Sequence, residues 1–197
     1  MIRTLIAAFF LFGASAAQAQ TALPVWIIDA GKSSLVFDAV QQGAAFEGRF
    51  QGFSGDIKFD AARPAESNAV IRVDMKTADS KSSDRDGALT GADWFYIESF
   101  PESVYTVSKF EKLNENQYLA RGALELRGIK KTLDLPLTIT FSTDDQGRVV
   151  ALAVGEVGLN RLDFGVGQGA WKDTQAVGNQ VKIKISVTAV RGDAAPQ

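Results

Sequence analysis

Side chains able to do directed chemistry concentrate in two stretches of this chain. The first runs Ser82-x-Asp84-Arg85-Asp86-Gly87 and continues to Asp93. Its spacing matches the calcium loop of an EF-hand, but the donors do not. Ser82 stands where the first carboxylate belongs, and Asp93 is too short to replace the bidentate glutamate at the end of such a loop. No long helices flank it, and no metal site is expected. Arg85 beside Asp86 could meet a polar head group at a cavity mouth, although a local ion pair or a helix cap more often explains such a pair. The second stretch carries Arg161, the glycines Gly165, Gly167 and Gly169, and then Trp171. The glycine run invites a phosphate-loop reading, yet no helical pattern follows it to supply an N-terminus for an anion, so a hairpin or bulge is expected. Arg127, Arg161 and Trp171 are further head-group candidates, since arginine suits pyrophosphate, against a default of surface salt bridges for the arginines.

Two absences exclude more than these motifs offer. The chain has no cysteine and no histidine. Without cysteine there is no disulfide, iron–sulfur cluster, thiol nucleophile or lipid-modified cysteine. Without histidine, the Ser-His-Asp arrangement, the usual zinc sites and histidine haem ligation are unavailable, and the commonest general base at neutral pH is missing. No catalytic residue and no cofactor is expected. The acidic pairs, such as Asp144-Asp145 and Glu98 with Glu102, sit in turn-like surroundings and read as solvated carboxylates.

Stepping along the chain, the N-terminus has one charge, Arg3, before an apolar run from Leu5 to Phe12, then small residues ending Ala17-Gln18-Ala19. That pattern reads as a secretory signal peptide over residues 1–19, cleaved after Ala19, and places the mature protein in the periplasm. The run is shorter than the roughly 20 residues needed to span a bilayer. Loss of Arg3 leaves 20 basic residues against 23 acidic ones, a net charge of −3. With no block of like charge, nucleic acid is not an expected partner.

Beyond residue 20 the dominant signal is period-two alternation bounded by Gly, Asn and Asp. Ala69, Ile71, Val73 and Met75 share one face, with Val70, Arg72, Asp74 and Lys76 on the other. The pattern returns at Tyr118–Leu126, Leu133–Phe141 and Val181–Ala189. About eight such segments predict an all-β fold, an antiparallel eight-stranded barrel that curls to remove its edges. Pro136 marks an edge, a bulge or a strand start. One short helical segment, a helix and turn, is expected at about residues 83–98, capped by Ser83 or Asp84 and stopped before Pro101, with Leu89, Trp94 and Phe95 covering one end of the barrel. A single domain over residues 20–191 and a frayed tail at 192–197 complete the organisation.

The residues also resemble the polyisoprenoid-binding YceI family. The resemblance rests on Trp26-Ile27-Ile28-Asp29 with Ser33 and Phe37, on Gly48-Arg49-Phe50, on Phe53-Ser54-Gly55 and on Phe59-Asp60. It continues through Arg85-Asp86, Leu89, Asp93-Trp94-Phe95 and Phe100-Pro101. Gly122, Leu124, Leu126, Arg127-Gly128, Lys130-Lys131 and Arg161 with Asp163-Phe164-Gly165 complete it. The resemblance implies a lipocalin-like barrel that encloses an isoprenoid or similar amphiphile, in proteins that are typically periplasmic, with no catalytic residue. Where many members carry histidines this chain has Lys32 and Ala88, so no role that depends on those histidines is carried over.

The expected function is therefore non-catalytic binding, storage or transport of a polyisoprenoid, an isoprenoid quinone or another long-chain lipid. Expected ligand contacts are Phe37, Phe50, Phe53, Phe59, Ile71, Val73, Leu89, Trp94, Phe95, Leu124 and Leu126, with Arg85 and Arg161 for a head group. Burying about fifteen carbons at roughly 0.8 kcal/mol each gives on the order of 12 kcal/mol gross, before ordering costs. Transient membrane contact would load the barrel, and an exposed edge strand could pair two copies into a homodimer. The alternative, an enzyme acting on a lipid in the cavity, needs an inward acid or base with a perturbed pKa. An outer-membrane barrel fits poorly, because charges occupy one face of most strands and the chain ends in a polar tail.

Overall fold

A computed structural model describes residues 21–192. The expected signal segment and the tail beyond Gly192 lie outside the described residues.

The alternating segments form twelve antiparallel strand pieces among the described residues, and these join into eight barrel strands because several are interrupted. β1 (Val25–Ile28) and β2 (Ser34–Gln41) are two halves of the first strand, broken by a 3-10 turn at Ala30–Lys32. β3 (Ala44–Phe50) and β4 (Phe53–Lys58) make the second, and β5 (Asn68–Asp74) with β6 (Ala78–Asp79) the third. β7 (Glu102–Lys112) and β8 (Gln117–Leu126) are continuous, β9 (Ile129–Thr132) and β10 (Leu135–Thr143) form the sixth, and β11 (Val149–Asn160) and β12 (Gln180–Arg191) close the set. Pairing runs β1–β4–β5–β7–β8–β10–β11–β12 and returns to β1, so the expected eight-stranded antiparallel barrel is what the chain forms. Closure leaves no open edge in this half of the molecule.

The closed half is packed solid. Phe59 lies 5.0 Å from Phe110 and 5.3 Å from Tyr118, ring centroid to centroid and edge-on in both cases. Trp26 seals the layer by donating its indole N–H to the Phe59 carbonyl at 2.8 Å. Each such aromatic pair adds about 0.5–1.5 kcal/mol to what burial alone provides. The register slips between Val107 and Lys109 of β7, and this bulge puts both Val107 and Phe110 inside. Without it, two residues three apart on one strand would face opposite sides.

The other half is built differently. There the hydrogen-bonded path runs β11–β12–β2–β3 on one side, while β9 pairs with β8 alone among the described residues. The two leaves part towards the mouth, and residues 83–101 and 161–178 fill in above them. Close approach fixes one glycine here: the Phe37 ring lies flat across Gly48 of the neighbouring strand. A Cβ on Gly48 would sit 2.3 Å from the end of that ring.

The short helix and turn expected at about residues 83–98 are both present, and only the cap differs: helix α1 spans Ser83–Thr90 and the turn follows it. Gly91 adopts extended backbone, and residues 91–100 continue as tight turns closed by bonds such as Phe95 N–H to the Leu89 carbonyl at 3.0 Å. A sequence bearing Gly87, Gly91 and two aspartates in the first turn has little propensity to extend further. The N-cap position is Ser82, whose side chain makes no capping bond, rather than Ser83 or Asp84. Asp86 instead reaches back to accept from Ser80 N and Oγ at 2.8 and 2.5 Å. Pro136 is the second residue of β10, consistent with a strand start.

Candidate ligand-binding cavity

Inward side chains of the mouth-side half enclose a cavity of about 460 Å³. Its floor is where the wall meets the closed-end core. Leu135 belongs to both, and Tyr105, Val157 and Ile185 pack against that core while lining the cavity. Alternation on β12 contributes Val181, Ile183, Ile185 and Val187. β5 contributes Ile71 and Val73, and β8 contributes Leu124 and Leu126. The mouth is framed by Leu89 of α1, by Trp94 and Phe95 of the following turns, and by Val166, Trp171 and Val177 of the 161–178 loop.

Of the residues expected to contact a ligand, Phe37, Phe50, Phe53, Ile71, Val73, Arg85, Leu89, Trp94, Phe95, Leu124, Leu126 and Arg161 all lie on this wall. Phe59 does not. Its ring is fully engaged in the closed-end aromatic layer, because β4 continues past the cavity into the packed half. The expectation missed Phe46, Met75, Tyr105, Leu133, Leu135, Val157 and Leu159 and the β12 stripe. Period two alone would have found most of them, but which half of the barrel is hollow is invisible in a strand pattern.

The arginines also differ from the salt-bridge default. Arg161 is 3% exposed. Its guanidinium donates to the carbonyls of Gly178 (2.9 Å), Val166 (2.9 Å), Trp171 (2.6 Å) and Val177 (2.8 Å). Burial lowers its pKa below the usual arginine value. Arg161 thus ties the 161–178 loop together from within, and one glycine of the run follows from that. Gly167, at φ +88°, passes so near the guanidinium that a Cβ there would overlap Nη1. Arg127 bridges the two mouth loops, donating to the Gly165 carbonyl and, at 2.7 Å, to that of Ala92. The Asp93 carbonyl accepts from the backbone N–H groups of Gly167 (2.8 Å) and Gln168 (2.7 Å). Arg85 donates to Ser80 Oγ (2.8 Å), the Ser80 carbonyl (3.0 Å) and Gln41 Oε1 (3.0 Å), and lies over the Phe46 ring at 3.8 Å.

Two polar side chains of the cavity wall, Ser103 and Tyr105, are bonded within the protein. Ser103 Oγ donates to the Glu125 carbonyl at 2.8 Å. The Tyr105 hydroxyl donates towards the carbonyls of Leu133 and Ala120, at 2.9 and 3.1 Å. Burial, reinforced by the negative charge of Asp134, pushes the Tyr105 pKa up, so this phenol keeps its proton. A wall of this kind can desolvate a long apolar chain, and it offers directional contacts only near the mouth.

The YceI-like domain matches residues 26–189, which takes in every barrel strand but the ends of the first and last. The chain belongs to the YceI-like family. A UPF0312 protein of Shewanella baltica is 26% identical over 161 residues, covering 81% of this chain and 82% of that one. Among solved structures, Burkholderia cenocepacia BcnA is similar with a TM-score of 0.76 at 28% identity, over 82% of this chain and 98% of that one. A polyisoprenoid-binding domain from Saccharophagus degradans shares the fold at a TM-score of 0.64 and 16% identity, over 85% and 98% of the two chains. YceI-like membership accords with the barrel, and the apolar cavity sits in the half of it that residues 83–101 and 161–178 cover.

Proposed function

We propose that this YceI-like barrel holds one long apolar amphiphile of the isoprenoid type, without transforming it, as a store or carrier in the periplasm. The observation that carries the reading is the cavity of about 460 Å³, walled by Phe, Leu, Ile and Val and closed at its floor. The description of the Saccharophagus degradans domain as polyisoprenoid-binding supports the same ligand class on the same fold. Taking a methylene to fill about the volume of a liquid water, roughly 30 Å³, the cavity accepts about fifteen carbons. That is three isoprene units, so a longer chain would leave its remainder at the mouth. Export would depend on residues 1–19 acting as a signal peptide cleaved after Ala19, and loading on transient contact with a membrane. Two copies would most simply pair along the outer edge of β9.

Native mass spectrometry of the protein purified from its own periplasm, followed by organic extraction, tests this reading. A stoichiometric isoprenoid is the expected result. Protein that is empty, and that takes up no long-chain isoprenoid offered in vitro, would overturn it.

A further inference from the structure

On one side of the mouth half the barrel wall is not joined by backbone hydrogen bonds. β10 pairs with β11 only as far as Leu137 and Gly155, while β11 runs on to Asn160 held by β12 alone. β9 pairs with β8 and no other strand. Among the described residues no backbone hydrogen bond crosses from Ile129–Thr132 to residues 156–160. Two free edges therefore face each other across a seam, and all four residues of β9 are exposed. Lys130 and Lys131 guard such an edge against pairing with other chains. Cavity wall lies on both sides of the seam, with Leu126 and Leu133 on one lip and Val157 and Leu159 on the other.

Side chains, not a strand ladder, close this gap. The turn after β11 brings Asp163 Oδ1 to 3.8 Å from Lys131 Nζ, a half-exposed pair. Phe164, 3% exposed, packs in one cluster with Leu126 and Leu159 of the two lips. Gly165 then gives its carbonyl to the Arg127 guanidinium, which also holds the Ala92 carbonyl at 2.7 Å. The backbone at Arg127 supplies no reason for an arginine. Arg127 and Gly128 stand at φ +52° and +71°, the two positive values of a type I′ turn, where Asn, Asp or Gly is favoured and a longer side chain carries a steric cost. What offsets that cost is the reach of the side chain across the seam.

We propose that the β9–β11 seam is a side door to the cavity, latched by Arg127 and the Lys131–Asp163 pair and plugged by Phe164. An apolar chain slides in broadside through it instead of threading end-first past Leu89, Trp94 and Phe95. The inference rests on the lipid-holding reading above and names the route to that site. Parting the lips breaks side-chain contacts only, whereas opening the closed half would break a full ladder. A latch of this kind governs rates and not affinity, because loading and release pass through the same open state.

All-trans-retinol, an isoprenoid whose fluorescence rises in apolar surroundings, reports both rates by stopped flow. The free edge of β9 is also where two copies would pair, so the protein is kept monomeric. Arg127→Met should raise association and dissociation rates together by about tenfold, as loss of ordinary hydrogen bonds from the closed state alone would give, and leave the dissociation constant within about twofold. Because the chain has no cysteine, a cleavable bismaleimide joins only introduced pairs. Lys131→Cys with Asp163→Cys locks the seam. Asp93→Cys with Ala170→Cys locks the end of the barrel, where a Cβ on Gly169 would lie 3.9 Å from the Asp93 carboxylate. The seam lock should slow loading by about tenfold or more, and cleaving the linker should restore it, while the end lock should leave loading unchanged. Unchanged loading with the seam lock, or slowed loading with the end lock, would overturn the side door and leave lipid holding in place. Retinol that binds neither wild-type protein nor any unlinked variant would overturn lipid holding, and the door with it. Should Arg127→Met not fold, the two cross-linked proteins decide.

Discussion

Replacing Val157 with phenylalanine should shorten the longest chain the barrel accepts. Val157 packs against the closed-end core and lines the cavity, so it lies at the floor. The substitution adds four carbons to a floor side chain, which at roughly 30 Å³ each removes about 120 Å³ from a cavity of about 460 Å³. Room for about four ligand carbons is lost. At about 0.8 kcal/mol per buried methylene the gross loss is about 3 kcal/mol, on the order of a hundredfold in affinity for a ligand that had filled the cavity. Farnesol, with fifteen carbons, should therefore weaken about a hundredfold, while geraniol, with ten, should bind as before. Calorimetric titration of both alcohols into both proteins measures this, and thermal unfolding checks that the variant folds; phenylalanine suits a strand, and here it enters empty space. Equal weakening of the two alcohols, or of neither, would refute the placement of the floor. So would a wild-type affinity that keeps rising by the same step from fifteen to twenty carbons.

The remaining expectations concern stability and the mouth. Phe59→Ala should destabilise the protein by about 3–5 kcal/mol in urea denaturation, because it empties the closed-end aromatic layer. Farnesol affinity of the folded fraction should be unchanged, which distinguishes core from cavity wall. Arg161→Met should cost roughly 2–4 kcal/mol and speed amide exchange selectively across residues 165–178, since four carbonyls lose their donor. The pH profile should be flat between about pH 6 and 8.5, as no histidine or cysteine titrates there. In acid, Asp60, Asp79 and Asp144 matter: backbone N–H donors, those of Ala62, Lys81 and Arg148, hold their carboxyls below the usual value. A folded-state pKa below the unfolded one gives stability that is present above about pH 4 and lost as pH falls through the folded values. The thermal midpoint should therefore decline modestly below about pH 4, and a decline beginning near pH 6.5 would contradict this account.

Much of the fold was legible in the sequence, because period two is a local property: a strand buried on one face must place an apolar side chain at every second position. Val181, Ile183, Ile185, Val187 and Ala189 could be assigned to one inward face without any partner strand in view. The missing histidines and cysteines likewise restrict the chemistry whatever the fold. Tertiary structure decided the rest, for reasons no local pattern carries. Phe53 and Phe59 lie on the same face of one segment, yet one lines the cavity and the other is core, because the ring of strands closes fully around Phe59 and parts beyond Phe53. Arg161 reads as a surface charge in a polar turn. Its four acceptors come from the backbone of a loop that folds back over it, so its burial follows from that loop's path and not from its neighbours in sequence. Trp94 was expected to cover the barrel, but that its indole N–H would be left facing no protein acceptor is a property of packing alone. Alternation specifies which side of the wall a residue faces; only closure of the barrel specifies whether that side is filled or hollow.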